Sequence, residues 1–201
     1  MNPKVIVCTG GIGSGKTAVT TAFESLGYPV YNCDERAKQL YDEDAVLLAD
    51  IVNVVGKDIL KDGKLDKAAL AGKIFNNRDY LQRIEQLVHP AVIKDFENWK
   101  ARQDSALVIF ETALYFEKKN LHSLSDYVIL MTAPENVRVQ RVVERDGISE
   151  SQVRQRMSNQ LPDGEKMAKA DWVITTDDRH PVLPQILKII DKITDNGKNR
   201  S

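Results

Sequence analysis

The amino-acid sequence predicts an α/β fold, a doubly wound, five-stranded parallel sheet with an inserted helical lobe and an arginine-rich lid. Five short apolar runs alternate with helical patterns, and continuous apolar runs are typical of parallel strands buried on both faces. The pattern from Asp34 to about Gln103 is almost wholly helical, which is too long for a simple crossover. We therefore expect one domain over 1–201 with three parts. These are a core of 1–33, 104–137 and 171–195, a helical lobe at about 34–103, and a lid at about 138–170.

Each predicted strand is a short apolar run bounded by polar or turn-forming residues. The first run enters a glycine-rich turn that leads into a helical pattern, so the chain begins in the order strand, turn, helix. The five runs are Lys4–Thr9, Pro29–Asn32, Ala106–Phe110, Tyr127–Thr132 and Trp172–Thr176.

The predicted core helices are bounded by capping residues. Gly27 follows the first helical pattern, and glycine is common after a helix end because it readily adopts positive φ. Ser149 and Gln152 form a capping box, which predicts a helix through Met157. The other core helices are expected from Lys16 to about Ser25, from Pro134 to about Arg145, and from Pro181 onward.

The helical block between the second and third strands contains three residues or pairs that disfavour a continuous helix. Glycine and Asp-Gly favour turns, and an internal proline removes a helical hydrogen bond. We expect breaks at Gly56, Asp62–Gly63 and Pro90.

The composition is that of an ordinary globular protein, with 42% hydrophobic and 28% charged residues. The formal net charge is −1 with acids and bases mixed throughout, which gives no electrostatic case for a nucleic-acid or membrane partner. Cys8 and Cys33 are too few for a disulfide framework or a zinc site, so both are predicted to be reduced, buried thiols. The N-terminal apolar run is too short for a signal peptide, and no stretch approaches a membrane span. We expect a cytoplasmic monomer.

The strongest motif is Gly10–Thr17 (GGIGSGKT), which matches the phosphate-binding pattern G-x-x-x-x-G-K-[ST] at every fixed position. Glycines allow backbone N–H groups to close around phosphate oxygens, and the following helix adds its positive dipole end. Lys16 supplies a mobile positive charge, and Thr17 offers a hydroxyl to Mg²⁺. The predicted ATP-binding residues of the loop are Gly11, Ile12, Gly13, Ser14, Gly15, Lys16 and Thr17.

Two other nucleotide-binding classes fit this sequence less well. Gly13–Ala18 also matches the loose dinucleotide pattern G-x-G-x-x-[GA], with Asp34 about 20 residues on, which would indicate an NAD-dependent oxidoreductase. That loop has no use for the Lys-Thr pair, whereas a triphosphate site requires it. A GTPase would normally carry an Asn-Lys-x-Asp motif, and none occurs.

Two acids follow predicted strands, where ligands collect in open α/β sheets. Asp34 lies just past the second strand, close to the phosphate loop if that strand neighbours the first. It could accept the proton of an attacking hydroxyl, or cap the helix that follows. Glu111 ends the third strand and could orient Mg²⁺ or its water, or be a surface carboxylate.

The segment from Arg138 to Arg156 is rich in arginine. Arg138, Arg141 and Arg145 share one face of a predicted helix, and planar guanidinium groups suit the charge of a transferring phosphoryl group. The alternative is a solvated face whose arginines pair with Glu135, Glu144 and Asp146. His89 lies with Pro90 at a predicted helix junction, where a capping role competes with a catalytic one.

These motifs together resemble the dephospho-CoA kinase family along nearly the whole chain. Gly10–Thr17 matches the family's GGIGSGK[ST] loop. The other segments that carry the resemblance are Asp62–Asp66 (DG-x-L-[DN]), Ile74–Phe75 ([VI]-F), Leu87–Pro90 (L-x-HP), Glu111–Glu117 (D-x-P-L-L-[FY]-E), Arg156–Gln160 (R-x-x-x-Q) and Ala170–Ile174 (AD-x-V-I).

Three departures from the family pattern stand out. Asn32 replaces the first aspartate of an Asp-Ala-Asp segment, so Asp34 is the remaining carboxylate there. Glu111 replaces an aspartate, and Ala113 replaces a proline.

The resemblance implies transfer of the ATP γ-phosphoryl group to the ribose 3′-hydroxyl of dephospho-CoA. It implies Asp34 as general base, with Lys16 and Arg141 as further catalytic residues and Mg²⁺ on Thr17. Arg141 and Arg145 would also bind ATP. The expected acceptor-binding residues are Asp34, His89, Glu111 and Arg156. A kinase of the same architecture acting on a nucleoside or nucleotide is the alternative, because the loop spacing does not separate the two.

Overall fold

A computed structural model describes residues 2–75, 77–177 and 179–198. Its strands are β1 (Lys4–Thr9), β2 (Val30–Asn32), β3 (Leu60–Lys61), β4 (Lys64–Leu65), β5 (Leu107–Glu111), β6 (Tyr127–Thr132) and β7 (Trp172–Thr175). Its α-helices are α1 (Lys16–Ser25), α2 (Cys33–Glu43), α3 (Ala45–Val55), α4 (Lys67–Phe75), α5 (Arg78–Lys100), α6 (Glu135–Asp146), α7 (Glu150–Ser158), α8 (Asp163–Met167) and α9 (Val182–Lys198). Two short 3₁₀ helices cover Lys57–Ile59 and Lys119–Leu124.

Five of these strands form one sheet in the order β2-β5-β1-β6-β7. β1 lies parallel to β5 and β6, and β6 lies parallel to β7. The predicted five-stranded parallel sheet is therefore confirmed. Asp34 is expected close to the phosphate loop if the second strand neighbours the first. That condition is not met, because β5 lies between β2 and β1.

The chain divides into two compact units. The first comprises Met1–Tyr31 and Gln103–Ser201 and contains the phosphate-binding motif. The second comprises Asn32–Arg102. The acceptor-binding role predicted for a lobe at about 34–103, and the lid role predicted for about 138–170, stay predictions.

The core of the first unit explains why its strands read as continuous apolar runs. Helices cover the sheet, and α1 and α9 pack on one another beside it. Apolar side chains of these elements form one buried cluster, including Ile6, Val19, Phe23, Ile109, Ile129, Ile174 and Ile186. This burial supplies the main favourable free energy of folding for the unit.

The second unit is helical, with a small antiparallel hairpin formed by β3 and β4. Gly56 ends α3 at φ 97°, and Asp62 and Gly63 turn the hairpin at φ 52° and 76°. The breaks predicted at these residues are confirmed. The break predicted at Pro90 is wrong, because α5 runs from Arg78 to Lys100 through it.

The continuity of α5 through Pro90 has a physical reason in its packing. A proline inside a helix removes one i→i−4 hydrogen bond. Pro90 itself is exposed, so the carbonyl that loses its donor can be solvated. Val88 and Val92 on either side are buried in the unit, and their burial holds both turns in helical conformation.

The segment after β6 forms three helices of the first unit, α6, α7 and α8. Gly147 follows α6 in the left-handed region at φ 66°. Ser149 caps α7, and its reciprocal bonds with Gln152 confirm the predicted capping box. Val139, Val142 and Val153 join α6 to α7 in a small apolar cluster, against which Ile12 of the phosphate loop packs.

Candidate active site

The phosphate loop connects β1 to α1 and depends on two glycines in left-handed conformation. Gly13 has φ 76° and Gly15 has φ 77°. A Cβ at Gly13 would lie 2.5 Å from the Arg138 carbonyl oxygen, and one at Gly15 would lie 2.8 Å from Thr176 Oγ1. Backbone conformation and close packing both require glycine at these positions.

Lys16 begins α1, and its side chain folds back over the loop. Its Nζ donates to the carbonyl oxygen of Gly10 at 3.1 Å. The first turn of α1 carries no acid, and Gly15 at its N-cap provides no side-chain acceptor. The N–H groups at this end, the helix dipole and Lys16 make the loop suited to an anion.

Glu111 is buried at the end of β5, with 7% of its surface exposed. The hydroxyl of Thr20, one turn beyond Thr17 in α1, donates to Glu111 Oε2 at 2.9 Å. The alternative of a surface carboxylate is therefore wrong. Cys8 lies opposite Glu111 in the β1–β5 register, and burial together with this carboxylate raises the pKa of its thiol far above its usual value.

The backbone N–H and the backbone carbonyl of Ile12 are both hydrogen-bonded to side chains from the segment after β6. Arg138 Nε donates to the Ile12 carbonyl oxygen at 2.9 Å. The Ile12 N–H donates to Gln160 Oε1, also at 2.9 Å. Arg138 is 6% exposed, and its guanidinium also donates to Asp163, so the arginine is paired as well as buried.

Arg141 reaches the other side of the phosphate loop through Thr176, the residue after β7. Its guanidinium donates to Thr176 Oγ1 at 3.1 Å and to the Thr176 carbonyl oxygen. Thr176 Oγ1 lies 2.8 Å from the carbonyl oxygen of Ser14. Sequence reasoning did not single out Thr176, whose one signal was its place at the end of an apolar strand.

The other arginines of the segment from Arg138 to Arg156 are exposed and pair with nearby acids. Arg145 donates to Asp146, which raises the pKa of the guanidinium and lowers that of the carboxyl. Arg156 contacts the same carboxylate at 3.4 Å, and Arg154 pairs with Glu135. The shared face predicted for Arg138, Arg141 and Arg145 thus comprises one buried, one half-buried and one exposed group.

Asp34 and His89 belong to the second unit. Asn32 caps α2 by accepting the Glu35 N–H at 3.0 Å, so the capping role considered for Asp34 is wrong. Asp34 is exposed in the first turn of α2. His89 is half-buried in the middle of α5, and the helix junction predicted for it does not exist.

The helices that carry Asp34 and His89 pack against each other. Arg36 of α2 donates from Nε and from one terminal nitrogen to the two carboxylate oxygens of Asp95 in α5, at 3.0 and 2.9 Å. These bonds raise the pKa of Arg36 above its usual value. The bidentate ion pair between Arg36 and Asp95 therefore helps to orient the helix that carries Asp34 within this unit.

An open cavity of about 510 Å³ lies in the first unit beside Arg138 and Gln160, the residues that bind the Ile12 backbone. Its wall combines charged, amide and apolar side chains of the segment after β6. The lining residues are Ala133, Glu135, Arg138, Arg154, Met157, Ser158, Gln160, Leu161, Pro162 and Asp163.

Among the described residues, no group of three or more His, Cys, Asp or Glu side chains could hold a metal ion by itself. The predicted Mg²⁺ site differs from such a cluster, because it relies on the exposed Thr17 hydroxyl and on nucleotide phosphates. None of the described helices is long and apolar enough to cross a membrane.

Comparison with known proteins gives matches along almost the whole chain. The family model described as dephospho-CoA kinase matches residues 4–181. A dephospho-CoA kinase of Porphyromonas gingivalis is 37% identical over 193 residues, which cover 95% of each chain. The crystal structure of TT1252 from Thermus thermophilus is 32% identical with a TM-score of 0.82, covering 94% of this chain and 97% of that one.

A more distant structure shares the fold. A dephospho-CoA kinase from Campylobacter jejuni is 24% identical with a TM-score of 0.64, covering 96% of this chain and 98% of that one. The family model spans the phosphate loop, Glu111 and the segment after β6 that surrounds Ile12. This chain belongs to the dephospho-CoA kinase family.

Proposed function

We propose that this protein transfers the γ-phosphoryl group of ATP to the 3′-hydroxyl of the ribose in dephospho-CoA, giving coenzyme A and ADP. The observation that carries the proposal is the phosphate loop, in which glycine backbone, Lys16 and the start of α1 form a site for a polyphosphate, within a chain of this family. The transfer depends mainly on positioning and charge neutralisation, because the transition state is loose.

On the nucleotide side, the loop from Gly11 to Thr17 binds the ATP phosphates through backbone N–H groups. Lys16 exchanges its bond to the Gly10 carbonyl for the β- and γ-phosphate oxygens, where its charge offsets the charge of the transferring group. Thr17, exposed at the start of α1, would hold Mg²⁺, which neutralises phosphate charge when it is bound.

Arg141 and Arg145 act from the proposed lid at about 138–170, which includes most of α6 together with α7 and α8. The Arg141 guanidinium is already oriented by Thr176, which contacts the loop at Ser14. Arg145 is exposed on α6 and can turn toward phosphate by leaving Asp146. Such an exchange of partners costs little free energy, because an ion pair between exposed side chains is weak in water.

On the acceptor side, Asp34 takes the proton of the ribose hydroxyl, and His89, Glu111 and Arg156 bind dephospho-CoA. Exposure of Asp34 in the first turn of α2 leaves its carboxylate accessible to a substrate. Glu111 is held by Thr20, so its carboxylate has a defined orientation beside α1. We further propose that the protein acts as a cytoplasmic monomer without nucleic-acid or membrane partners.

The test is a coupled assay of ADP release with Mg-ATP and a panel of acceptors. Dephospho-CoA should be phosphorylated far faster than nucleosides or nucleoside monophosphates. The Lys16→Ala variant is the matched control, and should lose at least about a hundredfold in rate because the charge that follows the phosphoryl group is gone.

Two outcomes would contradict the proposal. Rapid turnover of a nucleoside with dephospho-CoA inert would favour the alternative kinase of the same architecture. Phosphorylation at a hydroxyl other than the ribose 3′ position, read from the product by ³¹P and ¹H NMR, would contradict the assigned reaction.

A further inference from the structure

Lys166 is a buried lysine that the proposed mechanism does not use. It belongs to α8, and 1% of its surface is exposed. Its Nζ lies 3.5 Å from Oε1 of Glu117, in the loop after β5, at the limit of a hydrogen bond. Among the residues that the structure describes, neither Lys166 Nζ nor Glu117 Oε2 has a hydrogen-bond partner, although both atoms are buried.

Such a pair is a poor source of stability. Removing two ionic groups from water is costly, and that cost is recovered only when good hydrogen bonds satisfy both groups. Replacing a buried ion pair by uncharged groups of similar size is often neutral or stabilising. The incomplete bonding of Lys166 and Glu117 therefore indicates a role other than stabilising the fold.

The segment Gln160–Lys166, which we call the strap, connects this pair to the phosphate loop. At one end, Gln160 Oε1 accepts the Ile12 N–H at 2.9 Å. Next to it, the Leu161 N–H donates to Glu117 Oε1 at 3.3 Å. Glu117 thus binds the strap twice, at Leu161 and at Lys166.

The middle of the strap is tied to the same region by Asp163. This carboxylate accepts from Arg138, whose Nε donates to the Ile12 carbonyl oxygen. It also accepts from Thr132 Oγ1 at the end of β6, at 3.2 Å. Asp163 therefore links the strap to Ile12 through Arg138 and to the end of β6 through Thr132.

We propose that Lys166 and Glu117 are positioning residues, which hold the strap so that Gln160 and Arg138 fix the Ile12 peptide for phosphate binding and transfer. This inference rests on the proposed function, since it assigns the loop to the ATP phosphates. Neither residue touches ATP. They act through the strap, and displacement of a loop peptide by as little as about 1 Å can cost roughly a hundredfold in rate.

The test is the double variant Lys166→Met, Glu117→Gln in the full chain. It removes both charges with little change in side-chain length, and the glutamine can still accept the Leu161 N–H. We expect a melting temperature equal to or above that of the wild type. The Kd of a non-hydrolysable Mg-ATP analogue should rise roughly tenfold to a hundredfold, with a similar fall in kcat.

The Kd of the analogue is measured by calorimetry without acceptor, so that the role of the strap is tested separately from the identity of the acceptor. If the wild type binds the analogue but does not phosphorylate dephospho-CoA, the assigned acceptor is wrong while the effect on Kd still decides the role of the strap. Lys169→Met, the same substitution at an exposed lysine one turn later, is the matched control and should leave Kd unchanged.

Unchanged Kd and kcat in the double variant would overturn the proposal, whether the melting temperature falls or not. If the double variant does not fold, Gln160→Met decides, because it removes the direct bond of the strap to the Ile12 N–H and leaves Lys166 and Glu117 unchanged. It should raise the Kd of the analogue by a similar factor, and a normal Kd would overturn the proposal.

Discussion

At the end of β5, Glu111 accepts a hydrogen bond from Thr20 and lies opposite Cys8 in the strand register. A glutamate at this place has one more methylene than the family's aspartate, and the structure shows what it reaches, namely a threonine one turn beyond Thr17. Asn32 replaces another family aspartate and caps α2. At both departures a side-chain oxygen of the residue present accepts a hydrogen bond, and the Asn32 cap is one that an aspartate could also form.

Asp34→Asn tests the proposed general base. The substitution keeps the shape but removes the base and its charge, so kcat should fall by roughly a hundredfold to ten-thousandfold. The Kd for ATP should not change, because Asp34 is assigned to the acceptor. The measurement is steady-state kinetics together with nucleotide calorimetry.

Glu35→Gln is the matched control for Asp34→Asn, since it neutralises the neighbouring exposed acid of the same turn and should leave kcat unchanged. Asn32→Ala should instead lower stability by about 1 kcal/mol through loss of the cap. A normal kcat in folded Asp34→Asn would remove this residue from the mechanism.

The raised pKa of Cys8 predicts a pH dependence of stability. The unfolded thiol titrates near pKa 9.0, whereas burial and Glu111 keep the folded thiol protonated well above that pH. The folded state therefore holds more protons than the unfolded state above pH 9. From this group, the free energy of unfolding should fall by about 1.4 kcal/mol per pH unit as the pH rises above 9.

Urea denaturation between pH 8 and pH 10.5 measures this effect, with Cys8→Ala as the comparison. The alanine variant has lower absolute stability because of the lost volume, but it should show the shallower decline with pH. Equal slopes in the two proteins would contradict the assigned pKa shift.

At the scale of elements, the side chains of α6 to α8 make different contacts with the phosphate loop from those that the sequence predicts. The arginine spacing predicted one phosphate-facing stripe. In the structure Arg138 and Gln160 bind the Ile12 peptide, and Arg141 binds Thr176. These contacts link the segment predicted to be a lid to the phosphate loop, whereas Arg145 and Arg156 are exposed and pair with Asp146.

The lid role predicts a change in hydrogen exchange across α6 to α8. A non-hydrolysable Mg-ATP analogue with dephospho-CoA should slow exchange of the exposed α6–α7 connection and of α7, because closure orders them. The amides of α9 serve as the internal control and should not change. Unchanged exchange, together with full activity in Arg145→Ala, would contradict the lid role and would show that Arg145 is a solvated surface residue.

The phosphate loop, Glu111 and the strap all lie in the first unit, so the proposed nucleotide site belongs to that unit. Ligand binding to the folded state should therefore stabilise that unit. At a concentration a hundredfold above Kd, Mg-ATP should add about 2.7 kcal/mol. Differential scanning fluorimetry measures the shift, with adenosine as the control that lacks phosphates.

Chelation and the Lys16→Ala variant refine this measurement. EDTA should remove much of the stabilisation by ATP if Mg²⁺ on Thr17 contributes to binding. Lys16→Ala should show little stabilisation by Mg-ATP. Equal shifts with ATP and adenosine would contradict the assignment of the loop to phosphate.

Local patterns were sufficient to predict the five strands of the main sheet and the helices α1, α6, α7 and α9. β1, α1 and β6 have the predicted bounds, and the capping box at Ser149 begins α7. These features depend on interactions between near neighbours in the chain, namely apolar runs, glycine conformations and caps. The predicted break at Pro90 failed because burial of α5 on both sides outweighed one lost hydrogen bond.

The sequence by itself determined the parallel sheet, the phosphate loop and the family, because strand runs, glycine spacing and motif order are all properties of the linear chain. Only the tertiary structure decided the strand order, the burial of Glu111, and the contacts of Arg138, Gln160 and Thr176 with the loop. Those contacts join residues more than 90 positions apart. They depend on which surfaces pack together to bury apolar area, and no local pattern encodes that choice.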